Sequence, residues 1–258
     1  MSVRFDREGH VARVTIDRPE RMNAVDPATE DALEAIWAEI EADDRIRCVI
    51  LTGGGDKPFS AGADLKSDSG KRGLDYWADL NPNGFGGIAL RQSLTVPVIA
   101  RVNGLALGGG MEMVLGCDIV IAADHARFGL PEAKVGRLPL DGGMVALQRL
   151  IPRNIAAGLM MTGRMMGAEQ AARFGLVNAV VPAADLDAEV DAWAKDILSC
   201  APLSVKAIKR TIRGTGHLTA QEARALKTPE LIAALVSEDS EEGVRAFREK
   251  RAPDWRGK

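Results

Sequence analysis

Four nearly unbroken apolar runs limit what this chain can fold into: Cys48-Val-Ile-Leu-Thr52, Val96-Pro-Val-Ile-Ala-Arg-Val102, Ile119-Val-Ile-Ala-Ala123 and Leu176-Val-Asn-Ala-Val-Val181. A strand with one face in water alternates apolar and polar residues, so runs of this kind need cover on both faces. Segments with helical spacing separate several of them, and the expectation is an α/β fold. Arg13-Val-Thr-Ile-Asp17 alternates instead and ends at the turn signal Arg18-Pro19. The strand–helix rhythm hints at a loosely repeated unit, with no sharp sequence period.

Helix starts are legible in several places. Asp26-Pro27 supplies an N-cap and a first-turn proline, and Leu33, Ile36, Trp37 and Ile40 follow at helical spacing. From Asp187 onward the pattern is helical, with Val190, Trp193, Ile197 and Leu198 on one face. Thr219-Ala-Gln-Glu222 is a capping box, and Ser240 to Lys250 predicts a final helix. The expected division is a core over residues 1–186 that bears the site and a helical region over 187–258. Residues 66–92 are the least regular stretch. Lys66 to Gly73 and Asn81 to Gly87 read as loops around Tyr76, Trp77 and Leu80, and such loops often wall a substrate pocket.

Composition excludes several classes. The 258 residues hold 33 basic and 36 acidic side chains, a net charge of -3. No basic stripe for a nucleic acid is present. Cys48, Cys117 and Cys200 stand singly, and His10, His125 and His217 lack metal-ligand spacing. The N-terminal residues contain no apolar targeting core, and no apolar run is long enough for a bilayer, so a cytoplasmic location is the default expectation.

Chemistry concentrates in two glycine-rich loops and two glutamates. One loop is Thr52-Gly-Gly-Gly-Asp-Lys-Pro-Phe-Ser-Ala-Gly-Ala-Asp-Leu65; the other, Leu107-Gly-Gly-Gly-Met-Glu112, opens a helix. Neither is a Walker loop or a dinucleotide fingerprint. Backbone amides at Ala61 and Gly109 can converge on one carbonyl oxygen, with the helix's positive end beside them. Close-packed glycine turns are the plainer alternative. Glu112 and Glu132, beside these turns, are candidates for moving protons. Ser60 lacks the Gly-x-Ser-x-Gly elbow of a serine nucleophile.

Taken in order, Asp17-Arg-Pro-Glu-Arg-Met-Asn-Ala24, Phe59-Ser-Ala-Gly-Ala-Asp-Leu65, Asn103-Gly-Leu-Ala-Leu-Gly-Gly-Gly-Met-Glu112, Cys117-Asp118, Phe128-Gly-Leu-Pro-Glu132, Thr162-Gly-Arg164 and Gly175-Leu-Val-Asn178 resemble the enoyl-CoA hydratase/isomerase (crotonase) superfamily nearly end to end. The resemblance implies a crotonase-like fold of repeated β-β-α units with a C-terminal helical trimerisation region, as homotrimer or homohexamer. It implies an acyl-CoA thioester substrate and no metal or redox cofactor, the CoA being part of the substrate. Ala61 and Gly109 fall on the oxyanion-hole positions. Ala24 and the loop Ala61, Gly62, Ala63, Asp64 and Leu65 fall on CoA contacts, and Phe247 and Lys250 on positions that reach the CoA of a neighbouring subunit.

In the superfamily the oxyanion hole is shared and the acid–base groups vary, so the fold does not name the reaction. Members that hydrate a 2-enoyl-CoA carry two glutamates, which fall on Glu112 and Glu132. The resemblance therefore implies reversible syn-type addition of water, with Glu132 exchanging the C2 proton and Glu112 activating water. Double-bond isomerisation and dehydration of a substituted hydroxyacyl-CoA are the nearest alternatives; a silent CoA-thioester or RNA-binding member is more distant. One departure stands out. Where many members read Gly-x-x-Pro-Gly-x-Gly-Gly, this chain reads Gly136-Arg-Leu-Pro-Leu-Asp-Gly-Gly143. Leu140 can crowd the pocket while still offering its N–H, and Asp141 is expected to cap the next helix rather than act as a third acid.

Overall fold

The computed structural model describes residues 2–67, 70 and 73–258. The first part of the chain forms β1 (Val3–Glu8), β2 (Val11–Ile16), α1 (Pro27–Ala42), β3 (Cys48–Gly53), β4 (Pro58–Ser60) and the short α2 (Leu74–Ala78). Then come β5 (Val98–Val102), β6 (Leu105–Leu107), α3 (Gly109–Leu115), β7 (Ile119–Ala123) and β8 (Arg127–Gly129). These are followed by α4 (Gly143–Leu150), α5 (Arg153–Thr162), β9 (Met166–Gly167), α6 (Ala168–Arg173) and β10 (Ala179–Val181). Helices α7 (Leu186–Leu198), α8 (Pro202–Gly214), α9 (Ala220–Ala225), α10 (Pro229–Leu235) and α11 (Glu238–Glu249) complete the chain. Of the loop expected over 66–73, residues 68, 69, 71 and 72 lie outside the described residues.

Two sheets organise the molecule. A six-stranded sheet runs β1-β2-β3-β5-β7-β10, and a four-stranded sheet runs β4-β6-β8-β9. Within the first, β1 and β2 are antiparallel and the later pairings are parallel. The pairs β3–β4, β5–β6 and β7–β8 each give one strand to each sheet, which is the repeated unit only hinted at by the sequence. The segment expected to wall a pocket contains α2 and a turn through Phe85–Gly87.

The apolar runs have the double cover their composition requires. Val49, Leu51, Val98, Ala100, Val120 and Ala122 face the main core with Trp37 and Leu33 of α1. Their neighbours Cys48, Ile50, Ile99 and Ile121 face the other way, against Leu186, Val190 and Ala194 of α7. Each fully buried aliphatic side chain contributes about 1.5–3 kcal/mol. Asp26 caps α1 by accepting from the Thr29 N–H at 2.9 Å, and the Thr219–Glu222 capping box forms at α9. Among the described residues, no helix is long and apolar enough to cross a membrane.

Candidate active site

Strands β4, β6 and β8 lie side by side and parallel, so their carboxyl ends share one edge of the small sheet. Beyond β4 comes the loop with Ala61, Gly62 and Ala63; beyond β6 come Gly108 and α3; beyond β8 come Leu130, Pro131 and Glu132. Residues far apart in sequence meet there because each follows a strand of the same sheet.

Gly62 has φ of +84°, and a Cβ on it would lie 2.7 Å from the Gly109 nitrogen and 2.8 Å from the Leu107 carbonyl oxygen. Only a residue without a side chain lets the two glycine loops touch. Gly109 is pressed equally hard from its other side, where a Cβ would enter the Phe85 ring at 2.4 Å.

The backbone donors of this junction correct one expectation. The Ala61 N–H does not face a ligand; it donates to the Met22 carbonyl at 3.0 Å. That bond belongs to a short ladder in which Val25 N–H donates to Gly62 O and Asp64 N–H to Val25 O. The Gly62 N–H is taken by Ser60 Oγ at 3.1 Å, while the Ser60 hydroxyl donates to Asn23 O, so Ser60 is a buried clip in the loop. The Ala63 and Gly109 N–H groups have no acceptor among the described residues. Gly109 begins α3, where first-turn amides lack intrahelical partners and the helix end is positive. The unengaged pair is therefore Ala63 and Gly109. The expected donor, Ala61, lies two residues before the unengaged amide, because spacing does not reveal which amide a neighbouring segment consumes.

Glu112 stands in the first turn of α3, 3% exposed, its Oε1 accepting from the Gly143 N–H at 2.8 Å. Burial pushes its carboxyl up to about 8; the Gly143 bond opposes this, and the nearby charges of Asp141 and Glu132 add to it. Glu132 is half-buried, and burial raises its carboxyl as well. Its Oε2 is buried with no hydrogen-bond partner among the described residues, while a Cβ on Gly108 would lie 3.3 Å from its Oε1. No salt bridge involving either glutamate occurs among the described residues.

Asp141 also departs from expectation. Helix α4 has Gly142 as its N-cap and no side-chain cap bond. The Asp141 carboxylate instead accepts from the Tyr76 hydroxyl at 2.5 Å, 7% exposed in the site wall. Burial raises its carboxyl and the Tyr76 bond opposes that. The Leu140 N–H, expected to be free, donates to Leu138 O at 3.0 Å.

A cavity of about 350 Å³ opens beside the junction, lined in part by Met22, Ala24, Ala63, Asp64, Leu65 and Lys66. Four of the residues expected to contact CoA meet there. The Asp64 carboxylate is paired with Arg18 at 3.3 Å, and Arg18 also pairs with Asp26 at 2.8 Å, so Asp64 braces the loop. Phe247 and Lys250 lie at the far end of the chain, on and just after α11, and do not line this cavity.

The fold, the paired carboxyls and the glycine junction define a class. The profile of the enoyl-CoA hydratase/isomerase family matches residues 6–258, and the chain belongs to that family, within the crotonase superfamily. Carnitinyl-CoA dehydratase of Salmonella arizonae is 42% identical over 260 residues, covering 99% of this chain and 98% of that protein. Carnitinyl-CoA dehydratase of Escherichia coli K12 is 41% identical, covering 100% of this chain and 99% of its own length. Among solved structures, enoyl-CoA hydratase of Mycobacterium tuberculosis H37Rv superposes with a TM-score of 0.91 at 33% identity, covering 100% of this chain and 99% of that one. The Bacillus anthracis enoyl-CoA hydratase gives 0.91 at 33% identity, with full coverage of both chains.

Proposed function

We propose that this chain moves water reversibly across C2 and C3 of an acyl-CoA thioester, interconverting a 3-hydroxyacyl and a 2-enoyl ester. The observation that carries this reading is the pair of carboxyls, buried Glu112 and half-buried Glu132, beside two N–H groups with no acceptor among the described residues. In the dehydration direction, the thioester oxygen accepts from Ala63 and Gly109. The Glu132 carboxylate takes the C2 proton, and the electron pair left behind places negative charge on that oxygen. One such donor contributes about 2.7–4 kcal/mol to barrier lowering. The Glu112 carboxylic acid then gives its proton to the C3 hydroxyl, which leaves as water as the C2–C3 double bond forms. Hydration is the reverse. Two close carboxyls share one proton, and the deeper burial of Glu112 keeps it there at neutral pH, which arms the pair for dehydration.

The names of the similar curated proteins favour the specialised dehydratase within this reaction class. The test is a panel of 2-enoyl- and 3-hydroxyacyl-CoA esters, carnitinyl-CoA among them, with products identified by mass. Gain or loss of one water is expected; migration of the double bond without mass change would replace this reading with isomerisation. The exposed apolar residues Ile212, Leu235, Val236 and Phe247 on and after the C-terminal helices support burial against further copies of the chain, as homotrimer or homohexamer.

A further inference from the structure

The Gly109 N–H is held by no bond of its own among the described residues. It lies within Gly108-Gly109-Gly110, and Gly108 has φ of +55°. Residues without side chains do little to restrain their own backbone, and the amides of a helix's first turn lack intrahelical bonds. An oxyanion donor is effective only when it is aimed before charge develops. The aim of Gly109 must therefore come from what packs against it.

Two neighbours do so. Gly62 approaches the nitrogen, and on the other side a Cβ on Gly109 would lie 2.4, 2.5 and 2.6 Å from ring carbons of the buried Phe85. That ring is carried on a turn braced from α1. Trp37 Nε1–H donates to Gly86 O at 2.8 Å, and Arg91 donates to Gly87 O at 3.2 Å. Arg91 is itself fixed by Glu34 at 2.6 Å and Glu41 at 2.7 Å. The turn has no slack against α3, since a Cβ on Gly86 would lie 2.5 Å from the Met113 sulfur. Its backbone also meets the other half of the site. Phe85 N–H donates to Asp141 O at 3.4 Å, and the Gly143 N–H, two residues further on, holds Glu112 at 2.8 Å.

We propose that Phe85 is a positioning residue for the thioester grip. Its rigid ring edge fixes the direction of the Gly109 N–H, and its turn keeps that donor in register with the corner that holds Glu112. This inference rests on the CoA-thioester reading above and adds a residue that acts through Gly109 rather than on the ester.

The experiment uses butyryl-CoA labelled with carbon-13 at the thioester carbonyl, an ester with no double bond or hydroxyl to transfer. Isotope-edited infrared spectra of the complex read the carbonyl stretch, which falls as hydrogen bonds polarise the oxygen. The unmodified protein is expected to lower it relative to the free ester. In Phe85→Leu, which stays apolar but withdraws the ring edge, the stretch should return toward the free value. On the best ester of the panel, kcat should fall by about tenfold to a hundredfold with KM within a few-fold. Trp37→Phe, which removes only the N–H that braces Gly86, should move both readings the same way by less. Ile50→Val, which loosens the opposite face of the large sheet, should move neither. Melting curves identify the folded variants, and either Phe85→Leu or Trp37→Phe suffices for the comparison. A folded Phe85→Leu with the parent's carbonyl stretch would overturn the positioning role, whatever its kcat, and would leave water transfer standing if the parent turns over the panel. A parent that neither shifts the bound carbonyl nor turns over any ester would remove the thioester reading and this inference with it.

Discussion

The two sheets differ in what they contribute. The six-stranded sheet has at its centre the parallel strands β3, β5 and β7, whose side chains are buried on both faces, between α1 and α7. The four-stranded sheet has strands of two or three residues, yet three of them end at the groups proposed for chemistry. Long strands fix position through apolar area. Short strands fix it through adjacency, since three parallel ends bring Ala63, Gly109 and Glu132 to one place. Stability and chemistry are thereby assigned to different sheets.

That division can be broken by substitution. The largest expected effect is from Glu132→Gln, which keeps shape and removes proton transfer: turnover should fall by about 10²–10⁴, with ester binding within a few-fold. Undiminished turnover on the best substrate would end the proposed role. Next is Gly62→Ala, whose Cβ would press on the Gly109 nitrogen. Loss of that donor should lower kcat by about 10²–10³, with melting checked in parallel; a folded variant with full activity would exclude Gly109 as the oxyanion donor.

A smaller effect is expected from Glu112→Gln on stability. Because the folded carboxyl is raised to about 8 from an ordinary 4.5, the native state holds more protons than the unfolded state between those values. Native stability therefore declines as pH rises through this window. Gln does not ionise, so relative to the parent it should gain roughly 1–2 kcal/mol between pH 5 and pH 8, less than the ~1.4 kcal/mol per unit would allow because Glu132 and Asp141 share the field. Denaturant unfolding at the two pH values reads this, and a gain that is flat with pH would contradict the burial argument. The smallest effect is Ile50→Val in the large sheet, about 0.5–1.5 kcal/mol of stability with kcat unchanged. A kcat loss there would show that the two sheets are not separate in their duties.

Legibility in the sequence followed the same division. The apolar runs of β3, β5, β7 and β10 and the caps at Asp26 and Thr219 were readable because burial on both faces and orphan amides leave marks in composition. The small sheet was not readable: Pro58–Ser60 or Leu105–Leu107 is too short for any period to emerge. Glu112 and Glu132 stood out only because glycine turns and a family resemblance framed them. The Tyr76–Asp141 bond joins residues 65 positions apart, and no local pattern in the sequence encodes it. Ala61 was misread for a related reason, since its amide is consumed by a segment nearly forty residues earlier.

That last contact joins two segments that both line the cavity beside the glycine junction. Met22 and Asn23 adopt φ of +55° and +52°, left-handed values uncommon for residues with side chains. Together with Val25 they form the hem onto which residues 61–64 are stitched. The proposed thioester grip is thus tailored by a stretch that contributes no acid, no base and no oxyanion donor. A chain altered at Met22–Val25 would keep both glutamates and the glycine junction, and would still lose the alignment of the Ala63 amide.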